Sequence, residues 1–224
     1  MGGTITHLVI ADKIMNILPA GVISDAGMFY AGSLAPDAIH ARHGYVRAMK
    51  KHTHMRDDIW DQNFLLPENK KIFHDRLKTF IDSNRHRKGA MLDVYRGYIA
   101  HLLSDEIFVM TARQKLVDKV AKEGIGQRDR EFLIKFAPEV HNNDLILSRA
   151  YPTIENIKES LETVGPFEIK DYVTSDELIN SRKWVIQNFL ENPRKPDQPL
   201  YITSNDIDDY INQSVEYVIE YIFN

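Results

Sequence analysis

Apolar residues recur at helical spacing along almost the whole chain, and only one short segment, Phe167–Val173, has the composition of a strand. A lone strand makes no sheet, so the pattern predicts an all-α protein. Between Thr4 and Leu18 the residues Leu8, Val9, Ile14, Met15, Ile17 and Leu18 keep the helical period, and Pro19 stops the run. Gly27 to Leu34 is small and apolar, with Pro36 marking a turn or a new helix start. Glu68 to Ile81 places Phe73, Leu77, Phe80 and Ile81 on one stripe. A long helix is predicted from about Lys88 to Arg113, with a break near Gly124–Gly126 and shorter helices over Asp129–Phe136, Glu139–Arg149 and Thr153–Thr163. Thr174 with Glu177 three residues later reads as a capping box opening a helix to about Leu190. Pro193, Pro196 and Pro199 form a stiff linker. Thr203 with Asp206 then opens a last helix whose stripe is Ile207, Ile211, Val215, Val218 and Ile222. Tyr210, Tyr217 and Tyr221 lie beside that stripe as core or its rim, and a dimer face or a substrate wall are the other readings, so a homo-oligomer stays open.

A chain of 224 residues with 43% hydrophobic and 27% charged residues has ordinary globular composition, and its length predicts one large domain or at most one domain with a modest appendage. The absence of cysteine excludes disulfides, zinc fingers, iron–sulfur clusters and thiol nucleophiles, so any metal site has to be built from His, Asp and Glu. A net charge of -4 and a pI near 6.1 argue against a nucleic-acid footprint spread over the surface. The opening segment has no basic region ahead of an apolar core, and Asp12 and Lys13 interrupt its apolar run, which does not read as a signal peptide. No stretch approaches the ~20 apolar residues of a membrane span, so the expected location is the cytoplasm.

The long helix carries the most informative pair. Projected at about 100° per residue, Asp93, Arg96, Ala100 and Ser104 share one side, read as the solvent face. His101 and Asp105 do not join it; they sit one turn apart among Val94, Tyr98 and Phe108, and Gly97 leaves space one turn earlier. An ionised carboxylate turned into an apolar arc costs several kcal/mol unless it is paired or ligates a cation. The pair is therefore either a core hydrogen bond or two metal ligands at i and i+4. Five of the nine histidines, His7, His40, His43, His52 and His54, lie in the first 54 residues, with Asp37 among them.

Four stretches together resemble the zinc-dependent phospholipase C family, the all-α metal hydrolases related to bacterial phospholipase C and fungal single-strand nucleases. They are TITHLVIADKI, GSLAPDAIH, KKHTHMRDD and YRGYIAHLLSDEIF, which cover roughly the first half of the chain. The resemblance implies a single compact multi-helix domain with a metal-site half over about residues 1–113 and a helical half over about 114–224. It implies metal ligation by Asp37, His54, His101 and Asp105, with His52 as the alternative to His54 and a second ion between His7 and Asp105 as an open option. The histidine that follows the long-helix aspartate in those enzymes is missing here, and their later His-x-x-x-Glu pair has only His141 and Asp144 as a stand-in, read as ordinary helix surface.

Such a site implies a zinc-dependent hydrolase of phosphoric esters, on a small-molecule or lipid phosphoester, with manganese or iron accepting the same donors. Its metal would lower the pKa of a water that attacks phosphorus. Asp37 is then a ligand and candidate general base, His40 or His7 a candidate to orient the second shell or protonate the leaving group, and Arg42, Arg47 and Arg56 candidates to grip phosphate. Two alternatives stay beside this reading. One is a non-catalytic helical protein with a structural metal or a polar core pair. The other is an HD-type phosphohydrolase built on His74-Asp75, although Asp75 falls on the side of its helix opposite Phe73, Leu77 and Phe80.

Overall fold

A computed structural model describes residues 2–192 and 194–223. In chain order its α-helices are α1 (Thr4–Ile17), α2 (Ala26–Leu34), α3 (Arg47–Thr53), α4 (Pro67–Asn84), α5 (Ala90–Met110), α6 (Ala112–Ala121), α7 (Arg130–Ala150), α8 (Ile154–Glu162), α9 (Ser175–Val185) and α10 (Ser204–Phe223). Short 3-10 segments follow α2 (Ala35–Ala41) and α3 (Asp61–Asn63), and α9 widens into a π-turn at Ile186–Leu190. Among the described residues the strand-like segment supplies only an isolated antiparallel bridge between Ile169 and Val173. The all-α expectation therefore holds. No helix among the described residues is long and apolar enough to cross a membrane.

Local chemistry explains most boundaries. Asp25 caps α2 by accepting the Met28 N–H, and Pro67 opens α4 where its missing N–H goes unused. The capping box at the start of α9 is present in full, with Thr174 and Glu177 exchanging hydrogen bonds. Two predicted helices merge into α7, because Pro138 lies on its exposed side, where the carbonyl it leaves unpaired can turn to water. The predicted run to Arg113 instead ends at Met110, since Thr111 leaves helical dihedrals with φ -117° and ψ -95°. Short, cationic α3 carries no apolar period and has no counterpart in the sequence reading. Pro193 of the proline linker lies outside the described residues.

The two halves of the chain form one body: α1 packs on α10, α2 and α7, while α5 packs on α2, α10 and α4. Helix α5 is consequently surrounded, and the solvent face read for it does not exist. Asp93, Ala100 and Ser104 are all buried to 2% exposure or less. Asp93 reaches the start of α2 instead, accepting from the Ser24 N–H and hydroxyl and from the Asp25 N–H at 2.6–3.0 Å. The closest approach is between α2 and α5. A Cβ on Gly97 would lie 2.2 Å from the Phe29 carbonyl oxygen, and one on Gly32 would lie 2.2 Å from that of Val94. Only glycine permits these two helices to meet backbone to backbone.

Candidate metal centre

That helix contact sets the first member of the site. His101 on α5 places Nδ1 2.7 Å from the Ser33 carbonyl oxygen of α2. A carbonyl only accepts, so Nδ1 carries the proton and Nε2 keeps its lone pair. His54, just past the end of α3, repeats the device with Nδ1 2.8 Å from the Lys50 carbonyl oxygen. His7 on α1 sets Nδ1 2.9 Å from Ser104 Oγ, whose own hydrogen is given to the His101 carbonyl. Three imidazoles thus have their outer nitrogens anchored and their Nε2 atoms turned inward, the arrangement that holds metal-ligating histidines.

The inner atoms converge with two carboxylates. His54 Nε2 lies 3.2 Å from His101 Nε2, 3.4 Å from Asp37 Oδ1 and 3.6 Å from Asp105 Oδ2. His101 Nε2 is 3.8 Å from Asp105 Oδ2, and His7 Nε2 is 3.5 Å from Asp105 Oδ1. Donors held at ~2.1 Å from a tetrahedral ion are themselves ~3.4 Å apart, so the separations among His54, His101 and Asp105, and of His54 from Asp37, are those of donors around a divalent cation. The proton accounting agrees. Two Nε2 lone pairs face each other, and His7 Nε2 and Asp105 Oδ2 are buried without a hydrogen-bond partner. Burial presses the pKa of His54 and, further, of His101 down, so both imidazoles stay neutral. For Asp37 burial works upward, but the adjoining Lys50 charge leads the influences that outweigh it and hold the carboxyl well below its usual range.

Every metal ligand expected from the sequence is therefore brought to one place, and His54 rather than exposed His52 enters the cluster; His52 pairs with Asp57 and stacks on Tyr172. The atoms form two overlapping triads, His7–His101–Asp105 and Asp37–His54–His101, and can hold a metal ion. Because His101 offers a single free nitrogen, a second ion would find only His7 Nε2 and Asp105 Oδ1 among these side chains. The Gly2 N–H already donates to that Oδ1 at 2.7 Å.

His40 stays outside the cluster, with its ring edge-on to Tyr45 at the rim of a cavity of about 170 Å³ that it shares with Lys50, His54 and Arg56. Burial and the Lys50 charge lower its pKa. Of the arginines singled out above, Arg42 is held by Glu177 and the Tyr172 carbonyl, and Arg47 pairs with Asp61. Asp144 was read as helix surface and is in fact 2% exposed. It accepts from the Thr6 N–H and hydroxyl at 3.0 and 2.9 Å, and burial raises its pKa to about 6. His74 joins Glu106 at 3.0 Å while Asp75 stays exposed, so among the described residues no HD-type cluster forms around that dipeptide.

Lys50 is the residue near the site that the sequence reading passed over. Its ammonium stands 2.6 Å from Asp37 Oδ1. Its position four residues before His54 is the signal that could have found it, since the helical turn that anchors His54 Nδ1 also carries Lys50 to the cluster. No family model matches the chain, and no curated protein or solved structure matches it either.

Proposed function

We propose that the protein is a metal-dependent hydrolase that cleaves a phosphoric ester, as its resemblance to the zinc-dependent phospholipase C family implies. The observation that carries this reading is the convergence of three anchored imidazoles and two carboxylates beside a cavity that His54 lines together with Lys50 and Arg56. A divalent ion held by Asp37, His54, His101 and Asp105 would supply Lewis acidity there and lower the pKa of a water toward neutrality, with zinc favoured and manganese or iron suited to the same donors.

The chain's own groups divide the remaining work. Asp37, whose carboxyl is strongly acidic, is a weak base and serves as ligand and water-orienting acceptor. His40, neutral at the cavity rim, takes the proton of the attacking water. As the new bond from the water oxygen to phosphorus forms, the ester P–O bond breaks, and the alcohol leaves with the proton returned by His40. Arg56 and Lys50 hold the phosphoryl oxygens.

A structural ion is the second reading, favoured by one observation: His54, His101 and Asp105 are at most 1% exposed, and a shell closed by four protein donors would leave an ion no open position. Metal analysis by mass spectrometry on wild type, His101→Ala and Asp37→Asn, followed by a screen of phosphomonoesters and phosphodiesters, separates the two. The hydrolase reading expects about one metal per chain, lost in both variants, with metal-dependent ester cleavage. Metal bound at that level without cleavage of any ester leaves the structural reading, and a metal-free folded wild type removes both.

A further inference from the structure

The cavity beside the cluster contains a buried cation that no carboxylate among the described residues pairs with directly; Asp105, Asp61 and Glu106 favour its charge only from farther away. Arg56 is 4% exposed, its guanidinium carbon lies 3.7 Å from the centre of the Phe64 ring, and its Nε has no hydrogen-bond partner. Among the described residues no carboxylate comes within 4.0 Å of its guanidinium, although nearby Arg42 and Arg47 are each given one. A buried cation without a counter-ion is among the costliest groups a fold can carry. It is retained where an anion from outside completes it.

The surroundings define that anion. Arg56 lines the small cavity together with Lys50 and His54, and Arg56 and Lys50 also line a larger one of about 460 Å³ to which Arg113 contributes. Arg113 is half-buried with its guanidinium carbon 5.5 Å from the Phe132 ring centre. Arg47 is neutralised by Asp61. Lys50 is neutralised by Asp37 only until that carboxylate turns to a metal ion. Three cations, Lys50, Arg56 and Arg113, then face one cavity, whose carboxylates are Asp61, held by Arg47, and Asp144. The far wall of the larger cavity is apolar, built by Phe136, Val140, Trp184 and Phe189.

We propose that Arg56, with Lys50 and Arg113, is the seat of a terminal phosphoryl group, so that the site takes a phosphomonoester dianion with an apolar alcohol in preference to a phosphodiester. This rests on the hydrolase reading for the meaning of the site, but it concerns binding. A monoester presents two charges and three free oxygens to the three cations, whereas a diester presents one charge and has its second ester arm pressed against Arg56.

The test is calorimetric titration of the metal-loaded protein with phenyl phosphate and with diphenyl phosphate at about pH 7.5, where a phosphomonoester is almost fully dianionic. Phenyl phosphate is expected to bind at least about tenfold more tightly, a difference of ~1.4 kcal/mol. Arg56→Gln should lose about tenfold or more in phenyl phosphate affinity with metal content unchanged, and Arg56→Lys should recover part of the loss as a point charge lacking the planar fork. Equal affinity for the two esters, or unchanged affinity in a folded Arg56→Gln, overturns the proposal. If Arg56→Gln does not fold, Arg113→Gln at the half-buried position carries the same comparison, and unchanged affinity there overturns it equally. Turnover is followed in parallel. Arg56-dependent binding without hydrolysis removes the hydrolase reading alone, and diester hydrolysis indifferent to Arg56 removes the phosphoryl seat alone.

Discussion

Replacing Gly97 by alanine tests the joint on which the His/Asp cluster hangs. The added methyl would lie 2.2 Å from the Phe29 carbonyl oxygen and 2.8 Å from the Ser33 amide nitrogen. Both are backbone atoms and cannot swing aside, so α2 has to move ~1 Å away from α5 to restore an ordinary contact. Helix propensity alone favours alanine over glycine by ~1 kcal/mol. Forcing two packed backbones apart costs about 1–3 kcal/mol and at this contact the upper end, which leaves a net loss of ~2 kcal/mol. For a domain of this size that is a fall in Tm of roughly 4–8 °C. The second consequence concerns the site. The bond from His101 Nδ1 to the Ser33 carbonyl is 2.7 Å, and an added ångström breaks it. Loss of such an outer partner typically weakens metal affinity by about 10–100-fold. Circular dichroism melts of the metal-free protein and zinc titration against a competing chelator read the two effects separately. A Gly97→Ala protein that melts at or above wild type and keeps its zinc affinity within about twofold refutes the reasoning.

Two further outcomes are expected from groups away from the ligands. Asp144 has a folded pKa of about 6, above its value in an unfolded chain, so the folded state binds the extra proton and stability attributable to this group is lost as pH rises through about 4 to 6. Asp144→Asn should therefore be more stable than wild type at pH 7 by ~1–3 kcal/mol, with the gap closing below about pH 4; urea melts at the two pH values check this, and a gap that ignores pH speaks against it. Thr174→Ala removes the hydroxyl that caps α9 and should lower stability by ~1 kcal/mol, a Tm drop of about 2–4 °C, with no change in metal content.

What the sequence revealed, and what it hid, follows from how local each signal is. The caps of α9 and α10 and the stripe of α10 involve residues within a few positions of one another, and they lie where the spacing predicts. The solvent face assigned to α5 failed because a helical projection assumes one side meets water, whereas α2 approaches α5 on the side of Gly97 and Ala100. Asp144 was misplaced for the same reason: the start of α1 covers it, and Thr6 supplies its hydrogen bonds from 138 residues away. Within the site the ligand side chains were legible as residue types in order. The groups that anchor two of them, the Ser33 and Lys50 carbonyls, are main-chain atoms that leave no trace in the sequence. Arg56 was legible as a cation but not as an unpaired one, since pairing depends on which carboxylates the fold brings near.

The contact between Lys50 and Asp37 gives the cluster a resident counter-ion of its own. A divalent ion entering there competes with a tethered ammonium whose local concentration never falls, so its net affinity is the difference between two bindings to the same carboxylate. The displaced ammonium turns toward the cavity and strengthens its pull on an anion. By reciprocity an anion that holds Lys50 in the cavity tightens the ion by the same factor. Occupancy of the two positions then rises together, and an order of arrival need not be enforced by any moving lid.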